Sequence, residues 1–219
     1  KDRVEFTTSR GNLEGTNPAR ELKTGTAKVV LKSTTPGTAN VTASYTWNAA
    51  LWQYTVVDGY VSKPSFGYWK AVDGRIGSEG RTARDGYKVS ASKSWRAEGP
   101  DPHWLVVDLG ATYSVERFVI HHDGADAAGG DPKHNTSDFQ IQRGGKLDGP
   151  WEDLARITGN TSSTTTHTIA PVKMRYVRLY ITRGGQDDDP TARICEFEVF
   201  AVTRASVQVQ LGETANRSR

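Results

Sequence analysis

An all-β fold, a sandwich or jelly roll, is what this sequence predicts, and three observations predict it. Apolar residues alternate at period two over short stretches. Gly, Pro, Asp and Asn punctuate those stretches, and no convincing 3.6-residue periodicity runs through the chain. Within residues 138–143, Phe139 and Ile141 point one way and Gln140 and Gln142 the other. Val177, Leu179 and Ile181 share a face within 175–181, as do Phe197 and Val199 within 196–200. Residues 104–109 form a more continuous apolar run, which suits a strand covered on both sides. Trp95, Trp104 and Trp151 are expected to fill the core between layers. Many short strands joined by turns make a two-layer β structure.

Composition narrows the function classes. The 219 residues suffice for one large domain, or one domain and a fragment of another. Lys and Arg are interspersed with Asp and Glu at a net charge of +3, so the footprint of a nucleic-acid binder is missing. No apolar run is long enough to span a bilayer, and no signal-peptide pattern occurs. The chain begins at Lys1 and reads as a piece of a longer protein. Cys195 stands alone; it makes no internal disulfide and no thiolate zinc site, and a buried thiol is expected.

The first part of the chain reads differently from the rest. Residues 4–8, 27–32 and 39–45 are strand-like, with a turn at Thr35-Pro36-Gly37-Thr38. TGTAKVVLKSTTPGTANVTAS, 24–44, resembles the second half of bacterial immunoglobulin-like domains, at roughly half the usual sandwich of about 100 residues. Residues 46–58 connect it to the main domain, with Trp47 and Trp52 expected to pack between the two. Residues 1–57 are therefore read as a small immunoglobulin-like β module with its linker, 58–202 as the main domain, and 203–219 as a polar tail of open structure.

From residue 58 to 202 an ordered set of motifs appears: WKAVDGRIGSEG (69–80), SKSW (92–95), HWLVVDLGATYSVERFVI (103–120), NTSDFQIQ (135–142), GPWEDLARITGN (149–160), MRYVRLYI (174–181) and ARICEFEVF (192–200). Together they resemble the discoidin, or coagulation factor 5/8 C-terminal, family, and most of all the family 32 carbohydrate-binding modules of bacterial glycan-degrading enzymes. The resemblance implies an eight-stranded jelly-roll sandwich that binds ligand with loops at one end. It also implies a structural Ca²⁺ held by Asp73 and Glu196, with Lys70 and Ser94 as backbone-carbonyl contributors; the alternative is that Asp73 caps a turn and Glu196 pairs with an Arg.

The polar stretch HHDGADAAGGDPKHNTSDF, 121–139, is where chemistry is expected. Sugars need fixed donors and acceptors for hydroxyls and an aromatic face for their C–H surfaces. His122 shares parity with Phe118 and Ile120 and is expected to leave the core face where its strand ends. The resemblance places His122 and Asn135 at the two sugar-contact positions, although the family commonly has Arg at the first. Asp123 and Asp138 are further candidates, Asp138 equally as a turn cap. Arg183 offers a forked donor, and Tyr68 or Trp69 a stacking platform. Hydrolysis needs two carboxylates at a fixed separation, and nothing in the Gly-rich loops carrying Asp123, Asp126, Asp131, Asp138 and residues 187–189 fixes one. A transition metal on His122 with Asp123 or His134 has irregular spacing.

The reading is a non-catalytic carbohydrate-binding module, secreted or cell-surface, whose partners are a glycan and the catalytic domain of the same polypeptide. Nucleic acid is not expected as a partner, and the Asp- and Gly-rich loop 123–138 fits an anionic membrane poorly. Single-site affinity is expected in the range of about 10 μM to 1 mM. The rivals are an adhesion or membrane-surface module, a hydrolase using loop carboxylates, and a spacer that docks other domains.

Overall fold

The computed structural model describes residues 3–15, 29–51, 53–57, 67–76, 94–126 and 130–211. They contain strands, turns and short 3-10 segments, and no α-helix. The chain divides into two compact units, Ala49–Phe200 and Lys1–Asn48 with Ala201–Arg219.

In the smaller unit, β1 (Arg3–Thr8) pairs antiparallel with β4 (Gly37–Asn48), from Arg3 opposite Thr46 to Thr8 opposite Val41. β2 (Asn12–Gly15) and β3 (Val29–Lys32) form a separate antiparallel pair. The turn expected at 35–38 is present, with Gly37 at φ +135° and the Pro36 carbonyl accepting from Arg10 Nη1 at 2.6 Å. The tail whose structure the sequence leaves open is strand as far as Leu211 and counts with this unit. Its Ser206 and Gln210 side chains bond Thr42 and Thr38 of β4. Trp47 stacks on Tyr45 at 5.2 Å; Trp52 lies outside the described residues.

The larger unit holds β5 (Tyr54–Val57), a 3-10 turn (Tyr68–Val72), β6 (Trp95–Ala97), β7 (His103–His122), β8 (Asp138–Gly144), β9 (Trp151–Ile157), β10 (Thr164–Arg183) and the first part of β11 (Ala192–Leu211). β7 and β10 pair antiparallel for most of their length, with register breaks between Thr168 and Val172 and between Met174 and Tyr176. A break of this kind bends a strand. On one side of it, 176–181 of β10 lies against 103–108 of β7, giving the order β5–β7–β10–β8–β9. On the other side, 164–168 lies against 117–121, with β11 beside β7 and β6 on β11. Two long strands thus serve both layers of a discoidin-like sandwich.

The alternation read from sequence fills the space between the layers. Leu105, Val107, Phe139, Ile141, Val177, Leu179 and Ile181 are buried from the one sheet, and Phe118, Ile120, Ile194, Phe197 and Val199 from the other. Each contributes about 1.5–3 kcal/mol on burial. Trp95 and Cys195 are buried as expected. Trp104 and Trp151 depart from expectation and are only half-buried. Trp104 is one residue out of phase with Leu105 and faces away from the core, and Trp151 stands opposite Gly144 at the sheet edge.

Candidate functional site

The polar stretch after β7 is built into a hydrogen-bonded cluster. β7 does not stop short of His122, because Thr164 pairs with His121 and the His122 amide donates to Ser163 O at 2.9 Å. His122 therefore stays in the core, a correction to the expectation that it leaves it. It is fully buried, with its ring 5.5 Å from that of Phe139 and its Nε2 3.3 Å from Thr165 Oγ1. Burial pushes its imidazole down to about 3, with His121 and His167 adding to the effect.

Two 3-10 turns come next, Asp123–Ala125 and Pro132–His134. Asn135 joins them. Its Oδ1 accepts from Gly124 N at 2.8 Å, and its Nδ2 donates to Thr161 O at 3.0 Å and Ser163 Oγ at 3.2 Å. It too is fully buried, so its amide is spent on the loops rather than presented to solvent. Two glycines are required by close approach. A Cβ on Gly130 would strike the backbone oxygen of Asp123, and one on Gly124 would stand 2.5 Å from Ser163 Oγ.

Gln186 and Asn160, which sequence reasoning does not single out as site residues, complete the cluster. Gln186 Nε2 donates to Asn135 O and Asn160 O, both at 2.7 Å, and Asn160 Nδ2 donates to Thr136 O at 2.8 Å. Their only sequence signal is position in polar loops. Three loops, 123–138, 159–163 and 183–189, are tied together from beneath. Three further candidates sit on the same loops. Asp138 accepts from Gly159 N at 2.7 Å and Ser137 Oγ at 2.8 Å, and these donors hold its carboxyl below the usual range. Arg183 is exposed, with Nη2 3.3 Å from Gln186 O. Asp123 is buried, 3.5 Å from His134 Nδ1. The structure thus brings together His122, Asp123, Asn135, Asp138 and Arg183.

The other expected residues gather around a second turn. Tyr68 and Trp69 are each 41% exposed, packed edge-to-face at 5.4 Å, on the 3-10 turn that leads into Asp73. Both Glu196 carboxylate oxygens lie 3.1 Å from Gly74 N, which joins residues 122 apart in sequence. Glu196 is nearly fully buried, and burial pushes its carboxyl up to about 8, with the charge of Asp73 adding and the Gly74 N–H opposing. Burial likewise raises Asp73, against the opposing charges of Lys70 and Arg75. No Arg pairs with Glu196 among the described residues. Ser94 is buried; residues 77–80, part of the Gly-rich stretch 74–80 that could add backbone carbonyls, lie outside the described residues. Neighbouring residues of β11 serve the two clusters: Cys195 Sγ lies 4.0 Å from Asp123 O, and Glu196 reaches Gly74.

A bent two-layer sandwich with connecting loops gathered at one end is shared with known proteins. The family model described as F5_F8_type_C_2, the NedA-like, galactose-binding domain, matches residues 70–179. The chain belongs to this F5/8 type C family. Among solved structures, the family's fold is matched by the family 32 carbohydrate-binding module of Streptococcus pneumoniae EndoD at 20% identity and a TM-score of 0.56, covering 70% of this chain and 98% of that one. Chitosan-binding module 1 of a Paenibacillus sp. IK-5 chitosanase/glucanase matches at 22% and 0.51, covering 70% and 98%. A Clostridium perfringens family 32 module, in complex with GalNAc-β-1,3-galactose, matches at 15% and 0.51, covering 68% and 95%. No curated protein matches the chain.

Proposed function

We propose that this chain is a non-catalytic carbohydrate-binding module of a secreted bacterial glycan-degrading enzyme, and that it takes galactose- or N-acetylgalactosamine-type termini at the loop end. The observation that carries the reading is the layered loop cluster. Asn135, Asn160 and Gln186 fix three loops from below, so the donors and acceptors above them are already in place for hydroxyls. His122 and Asn135 support the rim from beneath, while Asp138 and Arg183 supply an acceptor and a forked donor. The glycan complex of the C. perfringens neighbour supports the ligand class. A catalytic domain on the same polypeptide would gain from the raised local concentration of substrate.

A glycan array probed with the full chain and with Arg183→Ala tests the reading. The expected result is binding to galactose-type termini that falls about tenfold or more in the variant. Binding to no glycan, or binding that is unchanged by Arg183→Ala and Asp138→Ala alike, overturns it.

A Ca²⁺ at Asp73 and Glu196 is part of the proposal, and the residues fit it. Two buried carboxylates are drawn together, and both are pushed toward protonation in a way that a hard cation relieves. Asp73 and Glu196 would supply carboxylate oxygens, and Lys70 and Ser94 backbone carbonyls. Bound calcium would supply charge balance and tie the 67–76 turn to β11.

A second reading rests on a different observation. Leu51, Tyr68, Trp69 and Ile76 are all exposed, and the last three flank Asp73. Exposed apolar groups of this kind favour a membrane-surface or adhesion role. Sedimentation with phosphatidylserine liposomes supports that reading if Trp69→Ala abolishes it.

A further inference from the structure

The outer face of the five-stranded layer holds a cleft that neither the loop end nor the Asp73 turn uses. Its volume is about 660 Å³, and Trp104, Val106, Leu147, Asp148, Trp151 and Arg178 line it. Strand register explains its make-up. Arg178 stands between Val106 and Gln142, and Tyr180 between Trp104 and Gln140, on the face opposite Leu105, Leu179 and Ile141. Two indoles, half-buried where core residues are expected, therefore wall a hollow on the sheet.

Arg178 is held flat in this hollow. Its guanidinium carbon is 4.6 Å from the Trp151 ring centre and 4.8 Å from that of Tyr180. Its Nε donates to Gln142 Oε1 at 2.6 Å. That bond uses one of five donors, and no ion pair occupies the terminal nitrogens among the described residues. Gln142 is itself fixed, donating to Asp153 Oδ1 at 2.6 Å, and Asp153 Oδ2 pairs with Arg156 at 2.8 Å. The fork is thus clamped with its outer edge unspent.

The charges bear on the occupant. Asp153 pairs with Arg156, and the cleft is lined by one cation, Arg178, and one exposed carboxylate, Asp148, so its lining carries no net positive charge for an anion. Its walls are aromatic and apolar, while its polar groups are one planar donor fork and one acceptor. That is the complement of a pyranose ring, with C–H faces for the indoles and vicinal hydroxyls for the fork. We propose that this face is a second binding site, separate from the loop end, for a neutral saccharide. A purely apolar partner would leave the guanidinium buried without acceptors.

The test monitors the indole Nε1–H NMR signals of Trp104 and Trp151 in the full chain, with buried Trp95 as the reference. The probes are methyl β-galactopyranoside, chitotriose and cellotriose, with galacturonate as the anionic comparator. At least one neutral probe is expected to shift Trp104 and Trp151 saturably with a Kd of roughly 0.1–10 mM, and Arg178→Lys is expected to weaken it about tenfold while leaving the Trp95 signal in place. If no neutral probe moves these signals, or galacturonate alone does, the proposal is overturned. Signals that move on dilution without sugar assign the face to a second copy and also overturn it. Shifts at the Gln186 side-chain amide with Trp104 and Trp151 unmoved overturn this site and leave the loop-end reading intact.

Discussion

Asp138 and Glu196 are both carboxylates in the larger unit, and they are held in opposite ways. Asp138 has the Gly159 N–H and the Ser137 hydroxyl, and its affinity for a proton is lowered. Glu196 is deeper, takes backbone N–H at Gly74, and still has its pKa raised to about 8, because burial and Asp73 outweigh that help. Two donors suffice for a carboxylate near water. They do not suffice for one that shares a dry turn with another carboxylate. Asp138 is therefore satisfied where it stands, whereas burial and the charge of Asp73 leave Glu196 under-compensated.

The strongest test of that contrast is pH with and without calcium. A carboxyl raised in the folded state keeps a proton that the unfolded chain has lost. Calcium-free stability should therefore fall as pH rises between about 4.5 and about 8, by at most ~1.4 kcal/mol per unit. Bound calcium would remove the fall, so the gap in unfolding free energy between calcium and chelator, read by urea denaturation, should widen from about pH 5 to about pH 8 by up to about 4 kcal/mol. An equal gap at both ends breaks the comparison.

His122 gives the next largest effect, with the opposite sign. Its folded pKa is depressed, so its stabilising share is complete above about 6.5 and is lost as pH falls toward about 3. Unfolding free energies from urea denaturation should drop by up to about 3 kcal/mol between about pH 6.5 and about 4.5, and His122→Leu should flatten that limb. An unchanged slope in the variant would mean that His122 is solvated.

Asn135→Ala should cost about 2 kcal/mol in urea denaturation, because Gly124 N–H and Thr161 O each lose a buried partner. Asp138→Asn should cost less than about 1 kcal/mol, since the amide oxygen still accepts from Gly159. A larger loss for Asp138 than for Asn135 would reverse the layering assigned to the loop end.

Much of this is legible in the chain, for reasons visible in particular residues. Phe139, Ile141, Val177, Leu179 and Ile181 declare their face by period two, and the structure buries all five. The parity of His122 with Phe118 and Ile120 holds, but its exit from the core does not. Where a strand ends depends on how far its neighbour runs, and β10 continues to Thr164 beside it. Trp104 and Trp151 escape a sequence reading for a related reason: an apolar run such as 104–109 does not say which of its two faces is covered. The meeting of Glu196 with the Asp73 turn comes from the resemblance alone, since no local pattern joins residues so distant. Gln186 is signalled only by its place in a polar loop, because its role is set by three loops that only the fold brings together.

That single amide has a consequence for engineering. Its NH₂ group is shared by the carbonyls of Asn135 and Asn160, so one side chain latches two loops. A library meant to retune selectivity can therefore randomise Asp131, Lys133, Ser162, Arg183 and Asp187 while freezing positions 135, 160 and 186. Diversifying the latch instead would yield clones that differ in shape before they differ in taste.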